Sequence, residues 1–351
     1  MTPIKRAAQW QSSHQRRVGV LVILEMVLLV GFAILPTFLS EYLVEVTARI
    51  LILGLLALSF DLVWGYAGIL SFGQALFFGA AAYVMAVCGR DLDLASGFVM
   101  LPLAILVGFV LALLLGRFLL LGRVPPSVIF VALGTLTGSY TGDRLARAWY
   151  YLGGQNGIPS FPAMRFGRYE MYSGIEFYYL ALVILVLVYL FCRWLVRSQF
   201  GLVLAGMRQN EERITFFGYR ASTYKATVFA ISGAIAGLAG GLLAFHDNFV
   251  WPNLLGIDTS TRAVIYVLFG GSGTLIGALL GTTAIEYATF FLADQYPKIW
   301  PIVLGLLLLL VIAFRPTGLI GMLVSERERV GRFGRPRQNP SSHEDADCGP
   351  T

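Results

Sequence analysis

Residues 97–116 read G-F-V-M-L-P-L-A-I-L-V-G-F-V-L-A-L-L-L-G, twenty positions with no charged or amide side chain. A helix needs about 20 apolar residues to cross the hydrocarbon of a bilayer, and this run supplies them. Working outward from it, apolar runs bounded by charges or Pro/Gly breaks give further candidate spans at 18–39, 48–64, 68–88, 125–142, 177–196, 226–245, 260–271, 274–292 and 299–314. The expected fold is therefore an all-α polytopic membrane protein of about ten transmembrane helices. Composition agrees: 57% of the 351 residues are hydrophobic and 13% charged, where a soluble domain carries about 25% charged residues. A soluble enzyme is excluded on that ground.

The net charge of +6 is explained by basic cytoplasmic segments rather than by nucleic acid. Residues 1–17 hold Lys5, Arg6, Arg16 and Arg17 and no acid, and the apolar run that follows has no small-residue cleavage site, which places the N-terminus in the cytoplasm. Alternating sides from there, the segments 1–17, 65–67, 117–124, 193–225, 271–274 and 315–351 lie inside and collect 18 of the 26 Lys and Arg. Both termini are expected in the cytoplasm. The expected layout is an N-terminal tail (1–17), a transmembrane domain (18–320) that includes a cytoplasmic loop (201–225), and a charged, Pro- and Ser-rich disordered tail (321–351).

The eighth span is only about 12 residues long and runs into Gly270-Gly271-Ser272-Gly273-Thr274, the pattern of a half-helix meeting another at a glycine break. A faint echo links that run, on to Gly277, with Gly65-Tyr66-Ala67-Gly68-Ile69-Leu70-Ser71-Phe72-Gly73. Broken or closely crossing helices at these glycines (Gly65, Gly68, Gly73, Gly270, Gly271, Gly273, Gly277) would expose backbone groups to a small polar solute, with Ser71, Gln74, Ser272 and Thr274 adding side-chain hydrogen bonds. Helix packing alone is the other reading of the same small residues.

Several chemistries lack their residues. No G-x-x-x-x-G-K-[ST] loop is present, so ATP and Mg, if used, belong to another chain. Cys88, Cys192 and Cys348 are too scattered for a disulfide framework or a metal site, and no nucleophile elbow or HExxH pair occurs. The intramembrane acids are Glu25, Asp61 and Glu286, fewer than a proton-coupled relay usually shows.

Between two confident spans, 201–225 reads G-L-V-L-A-G-M-R-Q-N-E-E-R-I-T-F-F-G-Y-R-A-S-T-Y-K. Residues 211–217 pattern as a short amphipathic helix, charged at Glu211, Glu212 and Arg213, apolar at Ile214, Phe216 and Phe217, and ended by Gly218. Composition leaves two uses open: docking into a groove on a soluble partner, or lying on the lipid surface.

Residue patterns here resemble a known family. Glu212-x5-Gly218 has the spacing of the E-A-A-x-x-x-G loop of ATP-binding-cassette (ABC) importer permeases, the element that fits a cleft in the ATPase. The run from Gly65 to Gly79 is similar to the G-Y-x-G-x-x-S-x-G-H-A-x-F-F-G of permeases for branched-chain amino acids, the LivM and LivH group. Arg208-x-Asn210-Glu211 with Tyr224-Lys225, then 236–240, 270–277 and Arg315-Pro316-x-Gly318-Leu319, follow in that family's order, and Gly153 to Ile158 resembles its outer-loop glycine motif. The resemblance implies a multi-pass subunit of a bacterial inner membrane. Its implied partners are a second, LivH-like permease, two ATPase chains that bind ATP and Mg, and a periplasmic binding protein. It also tilts 201–225 toward docking, through Arg208, Glu211, Glu212, Gly218, Tyr224 and Lys225.

Two positions depart from the pattern. Gln74 stands where the family has His. Arg262 falls where a glutamate is expected in both the branched-chain group and the similar urea permeases. A guanidinium near the outer mouth of a pathway favours a carboxylate or another anion over an ammonium, and near the interface it needs no anionic partner. Snorkelling to the interface is the alternative. The expected function is import of branched-chain amino acids or a similar small polar solute. Short amides such as urea, or small carboxylates, stand as alternative cargo, and an ion-coupled transporter using Asp61 and Glu286 or a channel stands as the rival class.

Overall fold

The computed structural model describes residues 25–309, apart from 26, 121–126, 294, 296–298, 301, 307 and 308. Both tails, 1–17 and 321–351, and half of the tenth expected span lie outside the described residues.

The helices in chain order are α1 (Val27–Thr37), α2 (Glu41–Asp61), α3 (Gln74–Leu92), α4 (Gly97–Leu120), α5 (Val128–Ala148), α6 (Ile175–Arg197), α7 (Gln199–Gln209), α8 (Glu211–Phe216), α9 (Ala221–Asp247), α10 (Ile257–Gly270) and α11 (Leu275–Ala293). Leu62–Tyr66 continues α2 as a wider π-turn. Two short antiparallel pairs decorate one end: β2 (Met164–Phe166) with β3 (Tyr169–Met171), and β1 (Ile158–Pro159) with β4 (Phe249–Val250). Among the described residues, six helices, those beginning at Glu41, Gln74, Gly97, Ile175, Ala221 and Leu275, are long and apolar enough to cross a membrane. Within the same residues, each of the first nine expected spans overlaps a helix. Several boundaries move: α2 begins at Glu41 rather than 48, the chain from 67 to 73 is irregular, and α5 runs on to Ala148, so Asp143, Arg144 and Arg147 sit on a helix and not in an outer loop. The 201–225 segment is no simple loop either. It carries α7, α8 and the first turn of α9.

Packing follows from small residues at four-residue spacing. On α4, Ala104, Gly108, Ala112 and Gly116 share one face, and on α9 so do Gly233, Gly237 and Gly241. The backbones meet there: a Cβ on Gly108 would stand 2.8 Å from Gly237 Cα. Without a hydrophobic driving force between helices in lipid, such close van der Waals contact is what holds a membrane bundle together. Pro102 lies in the second turn of α4, so the proline ring removes one early backbone hydrogen bond without ending the helix.

Two helices begin inside the bundle instead of at its surface. Gln74, the first residue of α3, is fully buried between α2 and α9. The chain before α10 also turns inward, and Leu255 packs so closely on α3 that a Cβ at Gly79 would sit 2.7 Å from its backbone nitrogen. Ser260 of α10 joins the two starts, donating to Phe72 O (2.5 Å) and accepting from Ala75 N (3.1 Å). Residues 65–67, 207–211 and 271–274 gather at one end of the bundle, together with Trp64, Gly68 and Val128 from the ends of their expected spans. At the opposite end Arg147 bonds Asn253, Arg90 reaches Tyr151 O and Arg49 pairs with Asp247.

Candidate functional site

The helix α8 stands clear of the bundle at the Arg208 end. Asn210 caps its start, the side-chain Oδ1 accepting from Arg213 N at 3.0 Å, as a short polar residue at that position should. Gly218 ends it with φ +87°, in the left-handed region that favours glycine. Ile214 turns inward against Gly206. Glu212 points outward, and Phe216 and Phe217 are 89% and 78% exposed. At the root of the helix Glu211 pairs with Lys225 Nζ at 2.6 Å, and Tyr224 stacks on Phe200 with centroids 5.3 Å apart. Glu211, Tyr224 and Lys225 thus form the root of the projection, while Glu212 and the two phenylalanines form its tip.

From this projection α7 leads straight to the glycine breaks. Arg208 donates to Gly65 O and lies over Gly68, whose φ is +71°. Gly65 in turn touches Gly273: a Cβ at Gly65 would be 2.5 Å from Gly273 N. The two runs with the faint sequence echo therefore meet in space. Asp61 bridges them from α2, one carboxylate oxygen accepting from Gly273 N at 2.7 Å, the other without a hydrogen-bond partner among the described residues. Thr274 bonds back to Gly271 O (2.6 Å), Ser272 is half-buried, and Gly270 and Gly277 let α10 and α11 cross closely. A cavity of about 380 Å³ opens beside Arg208, lined by Trp64, Gly68, Val128, Asn210 and Lys225.

Ser71 and Gln74 lie elsewhere, in a buried polar knot. Gln74 Nε2 donates to Ser232 Oγ (3.0 Å) and its Oε1 accepts from Ser59 Oγ (3.2 Å). Ser71 Oγ accepts from Gly73 N, the N-cap of α3, and Thr135 and Ser139 of α5 bond both sides of the Phe72 peptide. These groups satisfy one another, which is what polar side chains inside a bundle require.

Arg262 occupies a third place. It faces a cleft of about 140 Å³ between α2, α9 and α10, shared with Arg49 and Asp258. Contrary to the expectation that it needs no partner, it lies 3.6 Å from Glu286 of α11, which also accepts from the Tyr266 hydroxyl. The five expected pathway residues are thus divided among three locations. The structure adds Arg49 and Asp258, which sequence reading left out of any site, and brings to the glycine breaks Asp61, which sequence reading named only as a coupling acid of the rival ion-coupled class. For Asp61 the signal was present, a lone acid four residues before a glycine run. For Arg49 it was not, since its partners come from α9 and the turn before α10.

A family model described as the permease component of branched-chain amino acid transport systems matches residues 42–312. The high-affinity branched-chain amino acid transport system permease protein LivM of Salmonella typhimurium is 28% identical over 321 residues, covering 85% of this chain and 74% of its own length. LivM of Escherichia coli is 27% identical over 82% of this chain and 72% of its own. The autoinducer 2 import system permease protein LsrC of Salmonella paratyphi B is 29% identical over 61% of this chain and 62% of its own. No solved structure matches the chain. With the match running through α2 to α11 and across both glycine breaks, the chain belongs to the branched-chain amino acid permease family of ABC transporters.

Proposed function

We propose that this chain is one of two permease subunits of an ATP-driven importer in a bacterial inner membrane, carrying branched-chain amino acids or a close relative. ATP is hydrolysed on separate ATPase chains, and substrate arrives on a periplasmic binding protein. The observation that carries the reading is α8: a capped helix, tied at its root by the Glu211–Lys225 pair, with two exposed phenylalanines at the Arg208 end of the bundle. Exposed aromatics on a short helix fit a groove on a soluble partner. The cytoplasmic face is then the Arg208 end, with both termini on that side, and movement of α8 reaches the Gly65 and Gly273 breaks through α7 and Arg208. That link offers the bundle two states to switch between.

The test uses the full complex in proteoliposomes with the binding protein present. Glu212→Ala and Gly218→Asp should each abolish the stimulation of ATP hydrolysis while leaving the permease inserted. Nothing lies within 4 Å of a Cβ at Gly218, so the strain of Gly218→Asp is limited to the left-handed backbone, about 1 kcal/mol. Wild-type stimulation in both variants would refute docking through α8.

A further inference from the structure

A cavity of about 140 Å³ lies between α1, α2, α6 and α11. Leu182, Leu185, Val186, Tyr189 and Leu190 of α6 fall at i, i+3, i+4, i+7 and i+8, and this one helix face forms a wall about 12 Å long. Ile50 and Leu51 of α2 are buried at the floor, Leu279 and Leu280 of α11 are half-buried beside it, and Leu29 and Leu190 stand exposed at the rim. The helix α1 is clamped to α6 at both ends of this space. Tyr178 and Tyr179 donate to Phe32 O (2.5 Å) and Ala33 O (3.3 Å) at one end, and Arg193 pairs with Glu25 at the other.

The few polar groups on these walls are satisfied by one another. Tyr189 donates to Glu25 at 2.8 Å, Glu25 also holds Arg193, and Thr283 bonds back to Leu279 O at 2.9 Å. An ordered water needs several polar partners, and none is left over for it among the described residues. An empty space there would forfeit the van der Waals contact that holds a membrane bundle together. The occupant the cavity suits is therefore hydrocarbon, and its rim opens at mid-span, where hydrocarbon is the solvent. Past the cavity the same face of α6 changes character. Arg193 and Arg197 follow at four-residue spacing, and Arg197 is exposed with no ion pair or hydrogen bond among the described residues. Trp194 beside it is 66% exposed, and α7 leads on from there to Arg208. A free cation next to an exposed tryptophan is the pattern of a helix meeting the headgroup layer.

We infer that this cavity and Arg197 form one site for an anionic phospholipid of the leaflet at the Arg208 end. One acyl chain lies between α1 and the wall made by α2 and α11. The phosphate lies against the Arg197 guanidinium, about 10 Å from Leu190 along α6. The lipid fills the gap between the two clamps of α1 and so fastens that helix to the bundle. A polar solute finds no free partner on these walls, and a zwitterionic lipid brings an ammonium toward the arginine. The site shares no residue with the Gly65 and Gly273 contact or with the cleft at Arg262, and it does not depend on which solute is carried.

The test uses the complete complex in lipid nanodiscs that contain a phosphatidylglycerol with a diazirine in its acyl chain. After illumination, mass spectrometry of the peptides should place adducts on the cavity walls of α6 and α11. Leu280→Trp fills the cavity and should lower the yield of these adducts at least about fivefold. Phe191→Trp, exposed on α6 and off the cavity wall, should leave the yield unchanged. Unlabelled phosphatidylglycerol should compete about fivefold better than phosphatidylcholine, the weight of one arginine at an anionic bilayer surface, and no better in Arg197→Gln. Absence of adducts on these walls, or a yield untouched by Leu280→Trp in an assembled complex, would overturn the site. So would equal competition by the two lipids in the wild type, and that arm decides alone if Leu280→Trp fails to assemble. Failure of the permease reading shows separately, as a complex whose ATPase does not respond to the binding protein.

Discussion

Asp61 is where a single side chain does most to join the two halves of the bundle. Its carboxylate accepts from Gly273 N across 212 residues of sequence, and Arg208 holds Gly65 O beside it. If the carboxylate acts as an acceptor for that backbone group, Asp61→Asn keeps the oxygen and should retain leucine uptake within about threefold. Asp61→Ala orphans a buried N–H at about 1–3 kcal/mol and should lower uptake at least about fivefold. An ion-coupled carrier predicts the reverse for Asn, namely loss, because the titratable group is gone. Uptake driven by ATP, with the ion gradients collapsed, separates the two. At this scale the sequence was informative about which residues are unusual and silent about their partners. Arg262 stood out as a cation replacing an expected acid, but Glu286 and Arg49 come to its neighbourhood from two other stretches of chain. Such long-range pairings leave no mark in local spacing.

Among the elements, α4 and α9 illustrate how a bundle specifies its own crossings. The Ala104, Gly108, Ala112, Gly116 stripe was readable in the most apolar run of the chain, yet its meaning appeared only beside Gly233, Gly237 and Gly241. Gly108→Val should therefore destabilise the bundle by about 3 kcal/mol through overpacking, with Gly31→Val as a neutral comparison. Nothing lies within 4 Å of a Cβ at Gly31. Thermal unfolding of the detergent-solubilised complex, followed by loss of the monodisperse peak, reads the difference; equal melting of the two variants would count against the close crossing. The helices themselves were legible because apolar runs of span length leave little alternative. Their ends were less so. The start of α3 at Gln74 follows from bonds to Ser59 and Ser232, which no propensity encodes. The run of α5 to Ala148 depends on the Asp143 and Arg147 pair, 2.9 Å apart, and on Asn253.

On the scale of the whole molecule, the segments around Gly65, Arg208 and Gly273 gather at one end of the bundle, and the two glycine runs with a faint resemblance to one another turn out to be in contact. That contact, reached from α8 through Arg208, gives the chain a continuous route from an exposed helix to both helix breaks. Composition could not decide whether α8 meets a protein or the lipid surface, because an amphipathic helix of six residues suits both. The most direct test replaces Phe216, at the exposed tip, with the photo-crosslinker p-benzoylphenylalanine in the assembled complex, and Leu190, exposed on α6, as the comparison. Illumination should join the Phe216 position to the ATPase subunit in high yield, and the Leu190 position to lipid alone. Adducts of the Phe216 position with lipid and none with the ATPase would contradict the coupling role assigned to α8.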